Sequence, residues 1–286
     1  MKPLGIAANL EKPQVPRVSR LLLSQLARLR QPVLLERELA LSLGRAGGVE
    51  MRELGRRCRM LILLGGDGTV LRAARELHPH ETPIFSVNLG KLGFLASIAP
   101  ERLKQALPRV IRGKARIIEH STLAVSIHSG RRGRKGWIAL NDAVISRGAV
   151  SRVAELEVHV DGERLNSYLC DGIIFSTATG STAYSLSAGG PIVTPTASVY
   201  AITPICPHTL SNRSVIVGER SVAEVRIIRQ PDELFLGLDG QSMIRLSPDD
   251  RVRVTIGRYK VRRVVLPGDS FFDLLRKKLR WTGSNI

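Results

Sequence analysis

The run MLILL (60–64) is aliphatic throughout and stops at Gly65-Gly66-Asp67-Gly68. A strand with no polar alternation is buried on both faces, which is the situation of an interior strand in a parallel sheet covered by helices. The residues around it fit that reading. LGIAAN (4–9) and IFSV (84–87) are further short apolar strands, and 69–77 reads as a helix. Between residues 18 and 29, Leu21, Leu22, Leu26 and Leu29 recur at helical spacing. Pro100 precedes another helical stretch at 101–111, with proline at the tolerated first turn. Strand and helix alternate over residues 1–114, and that order predicts an α/β nucleotide-binding domain of the doubly wound type.

The texture changes near residue 115. TLAVSIH (122–128), ELEVHV (155–160), SVAEVRII (221–228), ELFLGL (233–238), RVRVTI (251–256) and YKVRRVVL (259–266) are short segments with strand-like alternation. Asp161-Gly162, Asp239-Gly240 and Pro248-Asp249-Asp250 supply turns between several of them. Residues 115–266 are therefore expected to form an all-β, sandwich-like domain. Residues 270–281 read as an amphipathic helix carrying Phe271, Leu274, Leu275 and Leu279, and the tail 267–286 is expected to pack back on the first domain.

Composition narrows the function classes. The 286 residues are 43% hydrophobic and 24% charged, enough apolar content for a true core, but only 4% aromatic, so that core is aliphatic. No apolar run approaches the roughly 18–20 residues of a membrane span, and the first residues lack a secretory h-region. Cys58, Cys170 and Cys206 are too few and too scattered for a disulfide framework or a CxxC metal site. No histidine pair has HExxH spacing, so no protein-built metal site is expected. A cytoplasmic protein with no membrane partner is expected. The net charge is +18, from 43 Lys and Arg against 25 Asp and Glu. The excess is dispersed, and its densest cluster, Arg131, Arg132, Arg134 and Lys135, lies between Gly130 and Gly136 in an expected hairpin tip. That distribution favours attraction of a phosphate-bearing small molecule over nucleic-acid binding.

Five segments carry chemistry. In Gly65-Gly66-Asp67-Gly68-Thr69 the glycines allow close backbone approach, and the following helix offers free N–H groups to phosphate. Neither the Walker A pattern nor GxGxxG is present. Asp67 is the informative residue, because a carboxylate in such a loop repels phosphate. It is either a helix cap in a tight turn, or it binds a metal, or it accepts a proton from an attacking hydroxyl. Asn141-Asp142, after WIAL (137–140), is either an ordinary turn or a grip on a ribose diol or an adenine edge. The stretch 171–185 has six Ser and Thr between 176 and 185, more than capping requires. Thr179, Ser181 and Thr182 can cap the helix expected at 183–188 and offer hydroxyls to a polar ligand. The stiff loop 204–213 holds His208. Leu238-Asp239-Gly240-Gln241 reads equally as a hairpin turn or as a ligand contact through Asp239 or Gln241.

Taken together, LGGDGTVL (64–71), NLGKLGFL (88–95), LND (140–142), CDGIIFSTATGSTAYSLSAGGPIV (170–193), ITPICPHTLSNRSVIV (202–217) and LDGQ (238–241) resemble the NAD kinase family of the bacterial type, in the family's order. The resemblance implies an α/β domain followed by a β-rich domain, with a nucleotide site in the crevice between them. It implies transfer of the γ-phosphoryl group of ATP, or of polyphosphate in some members, to the 2′-hydroxyl of the NAD adenosine ribose. Mg²⁺ or another divalent cation would accompany the ATP. Asp67 matches the aspartate proposed to take the hydroxyl proton, and Gly65, Gly66, Gly68 and Thr69 form the phosphate loop. Gly68, Phe94 and Leu95 fall in segments that line the acceptor site. Asn141 matches the asparagine of the family's Asn-Glu pair, and Asp142 stands where many members have Glu. Thr179, Ser181, Thr182, Ala183, Tyr184 and Ser187 match the adenine and nicotinamide-side contacts. Asp171 matches an aspartate that contacts dinucleotide across a subunit interface, which implies a homodimer or homotetramer. His208 and Gln241 lie in segments near the site. A lipid or sugar kinase sharing GGDG is the competing reading, and the hydroxyl row at 170–193 argues against an acyl pocket.

Overall fold

The computed structural model describes residues 2–129, 133–149, 152–209, 211–229 and 232–281. The chain divides into two compact units. One runs up to Glu119 and resumes at Val261, and the other spans His120–Lys260.

The first unit opens with β1 (Leu4–Ala8), α1 (Val15–Arg28), β2 (Val33–Leu35), α2 (Arg37–Ser42), α3 (Met51–Arg57), β3 (Met60–Gly65), α4 (Asp67–Leu77), β4 (Ile84–Asn88) and α5 (Leu103–Ile111). Its strands pair in parallel in the order β2-β1-β3-β4. Every residue of β1 and β3 is buried, as an uninterrupted aliphatic strand requires. The chain winds from β1 outward to β2, then returns to place β3 on the other side of β1. That reversal is a topological switch point, and in such sheets ligand chemistry gathers beyond the carboxyl ends of the strands. Asn9, Gly66 and Asp67 follow β1 and β3 there, and Asn88 ends β4. Ile6, Ile62, Leu64 and Phe85 from the sheet pack with Leu22 and Leu26 of α1 in one core. Leu21, counted with the helical stripe by its spacing, is 40% exposed.

The second unit is built from β5 (Arg116–Ser129), β6 (Gly133–Ala139), β7 (Asp142–Arg147), β8 (Ala154–Val160), β9 (Glu163–Cys170), β10 (Gly172–Thr177), α6 (Tyr184–Ser187), β11 (Val199–Ile205), β12 (Val215–Gly218), β13 (Ala223–Arg229), β14 (Leu234–Leu238), β15 (Ser242–Arg245) and β16 (Asp250–Val265); β5 begins and β16 ends in the first unit. α7 (Phe271–Leu279) closes the chain's described elements in the first unit. An antiparallel sheet runs β12-β11-β10-β7-β14-β15. Facing it, β9, β8, β13 and the first part of β16 pair antiparallel. Ile145, Phe175, Tyr200 and Leu236 of the six-stranded sheet meet Leu156, Val158, Val225 and Val252 in a single core. The unit is thus a sandwich. The Asp161-Gly162 and Asp239-Gly240 turns hold all four residues at positive φ (54° and 89°, 52° and 63°), as a type I′ turn requires; the first joins the paired Val160 and Glu163 directly, and the second is followed by Gln241 before Ser242 pairs with Leu238.

Three local expectations are corrected. Residues 251–256 and 259–266 belong to one strand, β16, and not to two. Gly257 does not break it, because a Cβ there would lie 2.9 Å from Thr122 Oγ1, so the glycine is a close-approach site within extended chain. The helix expected at 183–188 is a 3₁₀ turn, Gly180–Thr182, followed by the single-turn α6. Neither N-cap residue, Thr179 or Ala183, makes a side-chain capping bond, and the Gly180 N–H is accepted instead by Thr177 Oγ1 at 3.0 Å, so the expected capping by Thr179, Ser181 and Thr182 is not formed. Gly130, Arg131 and Arg132 lie outside the described residues; β5 and β6 converge antiparallel as far as Ser129 opposite Gly133.

Candidate active site

In the first unit the site is organised around Asp67. Asp67 is the first residue of α4, and Gly66 precedes it as N-cap. The capping contact comes from Thr69, whose Oγ1 accepts the Gly66 N–H at 3.3 Å. Asp67 therefore does not cap its helix. Its carboxylate reaches across to the loop after β4, where Oδ2 accepts the Phe94 N–H at 2.7 Å and Oδ1 accepts those of Leu95 and Ala96 at 2.9 and 3.0 Å. The approach is close enough that a Cβ on Gly93 would lie 2.0 Å from Oδ1. A carboxylate has about four lone-pair sites. Oδ2 takes only one main-chain N–H, so it keeps capacity for a further donor.

The same loop is fixed from other directions. Ser86 Oγ donates to Leu95 O at 3.1 Å and accepts the Ser97 N–H at 3.0 Å. The Phe94 ring packs 6.4 Å from that of Phe271 in α7, and Lys278 Nζ stands 5.5 Å from its centroid. Gly65 is needed for packing, since a Cβ would meet Thr69 Oγ1 at 2.0 Å, whereas Gly68 is exposed and faces open space. Arg263, at the end of β16, is buried, and that burial pulls its guanidinium pKa down to about 10 against the opposing pull of the Asp67 charge.

In the second unit the residues expected at the site fall into two groups. Asn141 and Asp142 enter β7, with Asn141 half-buried and Asp142 only 5% exposed. Burial, and secondarily the charge of Asp239, pushes the Asp142 carboxyl up to about 7. The Asp239 carboxylate accepts the N–H groups of Leu140, Asn141 and Asp142 at 2.8, 2.6 and 3.1 Å. Thr177, the last residue of β10, donates its Oγ1–H to Leu140 O at 2.7 Å and its N–H to Asn141 O at 2.9 Å. Gly180 lies so near that a Cβ would fall 2.0 Å from Asn141 O. Loop 140–142, the turn after β10 and the β14–β15 hairpin are thereby drawn together.

The hydroxyl row divides by burial. Ser181 is fully buried, donates to Ala178 O at 2.7 Å and accepts the Val193 N–H at 3.0 Å. Thr179 is buried with its Oγ1 2.8 Å from His120 Nδ1. These two hydroxyls hold the turn. Thr182 and Ala183 are half-buried, while Tyr184 and Ser187 are exposed. Asp171 forms an ion pair with Arg147, Nε to Oδ1 at 2.6 Å. His208 is exposed and its N–H bonds Leu169 O at 2.9 Å. Gln241 is exposed and closes the hairpin through its N–H to Leu238 O at 2.9 Å. Arg263 and His120 were not singled out by sequence reasoning. Arg263 shares the period-2 alternation of Tyr259 and Val261, the buried face of β16, and that register is the signal for the first; nothing in the sequence marks the second.

The comparisons agree across the chain. Residues 4–115 match the family model of the ATP-NAD kinase N-terminal domain, and residues 140–266 match that of the ATP-NAD kinase C-terminal domain. NAD kinase of Desulforamulus reducens is 40% identical over 281 residues, covering 98% of both chains. NAD kinase of Moorella thermoacetica is 40% identical over 286 residues, covering 99% of this chain and 91% of its own. Among solved structures, yeast NADH kinase complexed with NADH superposes with a TM-score of 0.92 at 25% identity, covering 100% of this chain and 89% of its own. An NAD kinase from Archaeoglobus fulgidus in complex with ATP has a similar fold, with a TM-score of 0.77 at 24% identity. With both family models matched in order and near-complete coverage at 40% identity, the chain belongs to the NAD kinase family.

Proposed function

We propose that this enzyme transfers the γ-phosphoryl group of ATP to the 2′-hydroxyl of the adenosine ribose of NAD, giving NADP. The observation that carries the reading is the whole-chain relationship to NAD kinases at 40% identity. The bond between the γ-phosphorus and its bridging oxygen breaks as the ribose oxygen bonds to phosphorus, and the hydroxyl proton leaves. Such transfers depend chiefly on positioning and on neutralising charge. Asp67 would accept the proton at Oδ2, the oxygen holding a single main-chain N–H. Because three N–H bonds tie Asp67 to the 94–96 loop, the base and the residues assigned to the acceptor site, Phe94 and Leu95, are positioned as one piece. Gly68, exposed at the start of α4, would offer its backbone to phosphate.

Asn141 and Asp142 would hold the hydroxyl and base edges of the adenosine, with Thr182, Ala183, Tyr184 and Ser187 beside them. Thr179 and Ser181 would shape the turn, since their hydroxyls are bonded internally. Mg²⁺ would enter on the triphosphate as part of the nucleotide substrate. Among the described residues no cluster of three or more His, Cys, Asp or Glu stands ready to hold a metal ion. The basic surface would favour encounter with two anionic substrates. Among the described residues no helix is long and apolar enough to cross a membrane. Purified enzyme with NAD, ATP and Mg²⁺ should form NADP, read by coupling to an NADP-specific dehydrogenase; no NADP with either ATP or polyphosphate would overturn the proposal.

A further inference from the structure

We infer that Asp239, in the β14–β15 hairpin, is a positioning residue for NAD, acting through the Asn141-Asp142 loop without touching substrate. The inference rests on the assignment of that loop to the adenosine end of NAD. Asp239 sits in the first position of a type I′ turn, where any Asp or Asn with positive φ would serve. The turn alone does not need a carboxylate. What needs one is the row of N–H groups at Leu140, Asn141 and Asp142, all accepted by its two oxygens. A hydrogen bond to a charged acceptor is about twice as strong as a neutral one, and two oxygens fix both the distance and the tilt of the strand entry.

The grip is completed from the opposite side of the same peptides. Thr177 bonds the carbonyls of Leu140 and Asn141, and Gly180 leaves only enough room for the Asn141 carbonyl. Main-chain donors and acceptors of loop 140–142 are thus fixed by two separate segments, leaving the Asn141 and Asp142 side chains as the parts that can differ with substrate. Asp239 also sets the electrostatics of the loop, since its charge acts on the Asp142 carboxyl and disfavours ionisation there. Packing and charge therefore make different demands on the same residue, and an isosteric neutral replacement separates them.

The test uses the full-length enzyme with Asp239→Asn, Asp239→Ala and Asn141→Ala. Asparagine is at home in the turn and keeps an acceptor for the Asn141 and Asp142 N–H groups, so D239N guards against a simple folding failure in D239A. Expected for D239N is a KM for NAD raised roughly tenfold, the loss of about one charge-assisted hydrogen bond, with KM for ATP little changed. The midpoint of the pH dependence of KM for NAD should also move to lower pH, as the like charge beside Asp142 is removed. A merely structural residue would lower the melting temperature and the specific activity while leaving KM for NAD and that midpoint in place, and that result overturns the inference. N141A tells the two failures apart. If N141A raises KM for NAD but neither Asp239 variant does, the positioning role is wrong and the assignment of the loop stands. If N141A leaves KM for NAD unchanged, the assignment itself fails and the inference with it.

Discussion

Replacing Asp142 by asparagine should make the enzyme more stable relative to wild type as pH rises. Asp142 is 5% exposed, and burial with the charge of Asp239 raises its carboxyl from 3.8 to about 7. In the unfolded chain the group ionises near 3.8. Below that value both states hold the proton and the group costs nothing. Between 3.8 and about 7 the unfolded state releases the proton while the folded state keeps it, so stability falls as pH rises. Above about 7 both states are ionised and the loss levels off. A difference of about 3 units at about 1.4 kcal/mol each puts the full loss near 4 kcal/mol. Most of this window lies between about pH 5 and 8, which accounts for about 3 kcal/mol.

The asparagine carries no titrating group, so the variant lacks that loss while every other group titrates as before. Urea denaturation of both proteins at about pH 5, 6, 7 and 8 isolates it, because the difference in unfolding free energy cancels the shared titrations. That difference should grow in favour of the variant by about 3 kcal/mol from about pH 5 to 8. KM for NAD should separate in the opposite sense. In wild type it should fall as pH rises through about 7, because an ionised acceptor binds ribose hydroxyls more strongly, whereas the variant should have a higher KM without that step. Stability curves that stay parallel across the range would show that Asp142 ionises as freely as a surface carboxylate and would refute the reasoning.

Three further outcomes are expected. Asp67→Asn should lower kcat by about 10²–10⁴ with NAD affinity, measured by calorimetry, retained, since asparagine still accepts from Leu95 and Ala96; near-wild-type kcat in a protein of native circular dichroism would exclude Asp67 as the base. Gly93→Ala places a Cβ 2.0 Å from Asp67 Oδ1 and should cost about 1–3 kcal/mol of stability and at least tenfold in kcat, so a variant matching wild type in both melting temperature and turnover would show that the loop can give way. Neutralising Arg131, Arg132, Arg134 and Lys135 together should leave kcat unchanged and DNA binding weak at about 150 mM salt; submicromolar, sequence-selective DNA binding lost in the variant would show an evolved nucleic-acid surface.

The fold is legible where the hydrophobic period is unambiguous. β3 is aliphatic from end to end and β4 nearly so, and each could only be an interior strand. β11 is hidden because VYAITPI contains Pro204, which argues against a strand inside a sheet. The register resolves it. Asp171 N donates to Ile205 O, so Pro204, one residue away, directs its nitrogen to the other side, toward β12. The pairing with β12 ends at Ile202, so no ladder bond is forfeited. Gly257 misleads in the other direction. It reads as a break, yet it lies within a 16-residue strand at a close approach to Thr122, a tertiary fact with no local trace.

The site is legible only as far as residue type. Asp67-Gly68 and Asp239-Gly240 are the same dipeptide, each after an apolar strand, and the sequence marks the first as chemical and leaves the second undecided. In the folded chain both aspartates do the same thing, since each accepts three consecutive main-chain N–H groups from a loop distant in sequence. Their difference lies in the segments they hold. Asp67 holds 94–96 from the start of a helix, where an anionic ligand is favoured. Asp239 holds 140–142, the residues that carry the side chains of interest. A carboxylate in a glycine turn is therefore a device for organising a loop, and proton transfer is a role that one of the two adds to it. On that reasoning D67N and D239N should diverge in one respect despite their shared geometry: the first should lose turnover with NAD affinity kept, the second NAD affinity with turnover at saturation largely kept. Stopped-time assays at saturating NAD distinguish them, and loss of saturated turnover in both would mean that Asp239 serves the chemical step as well as the binding of NAD.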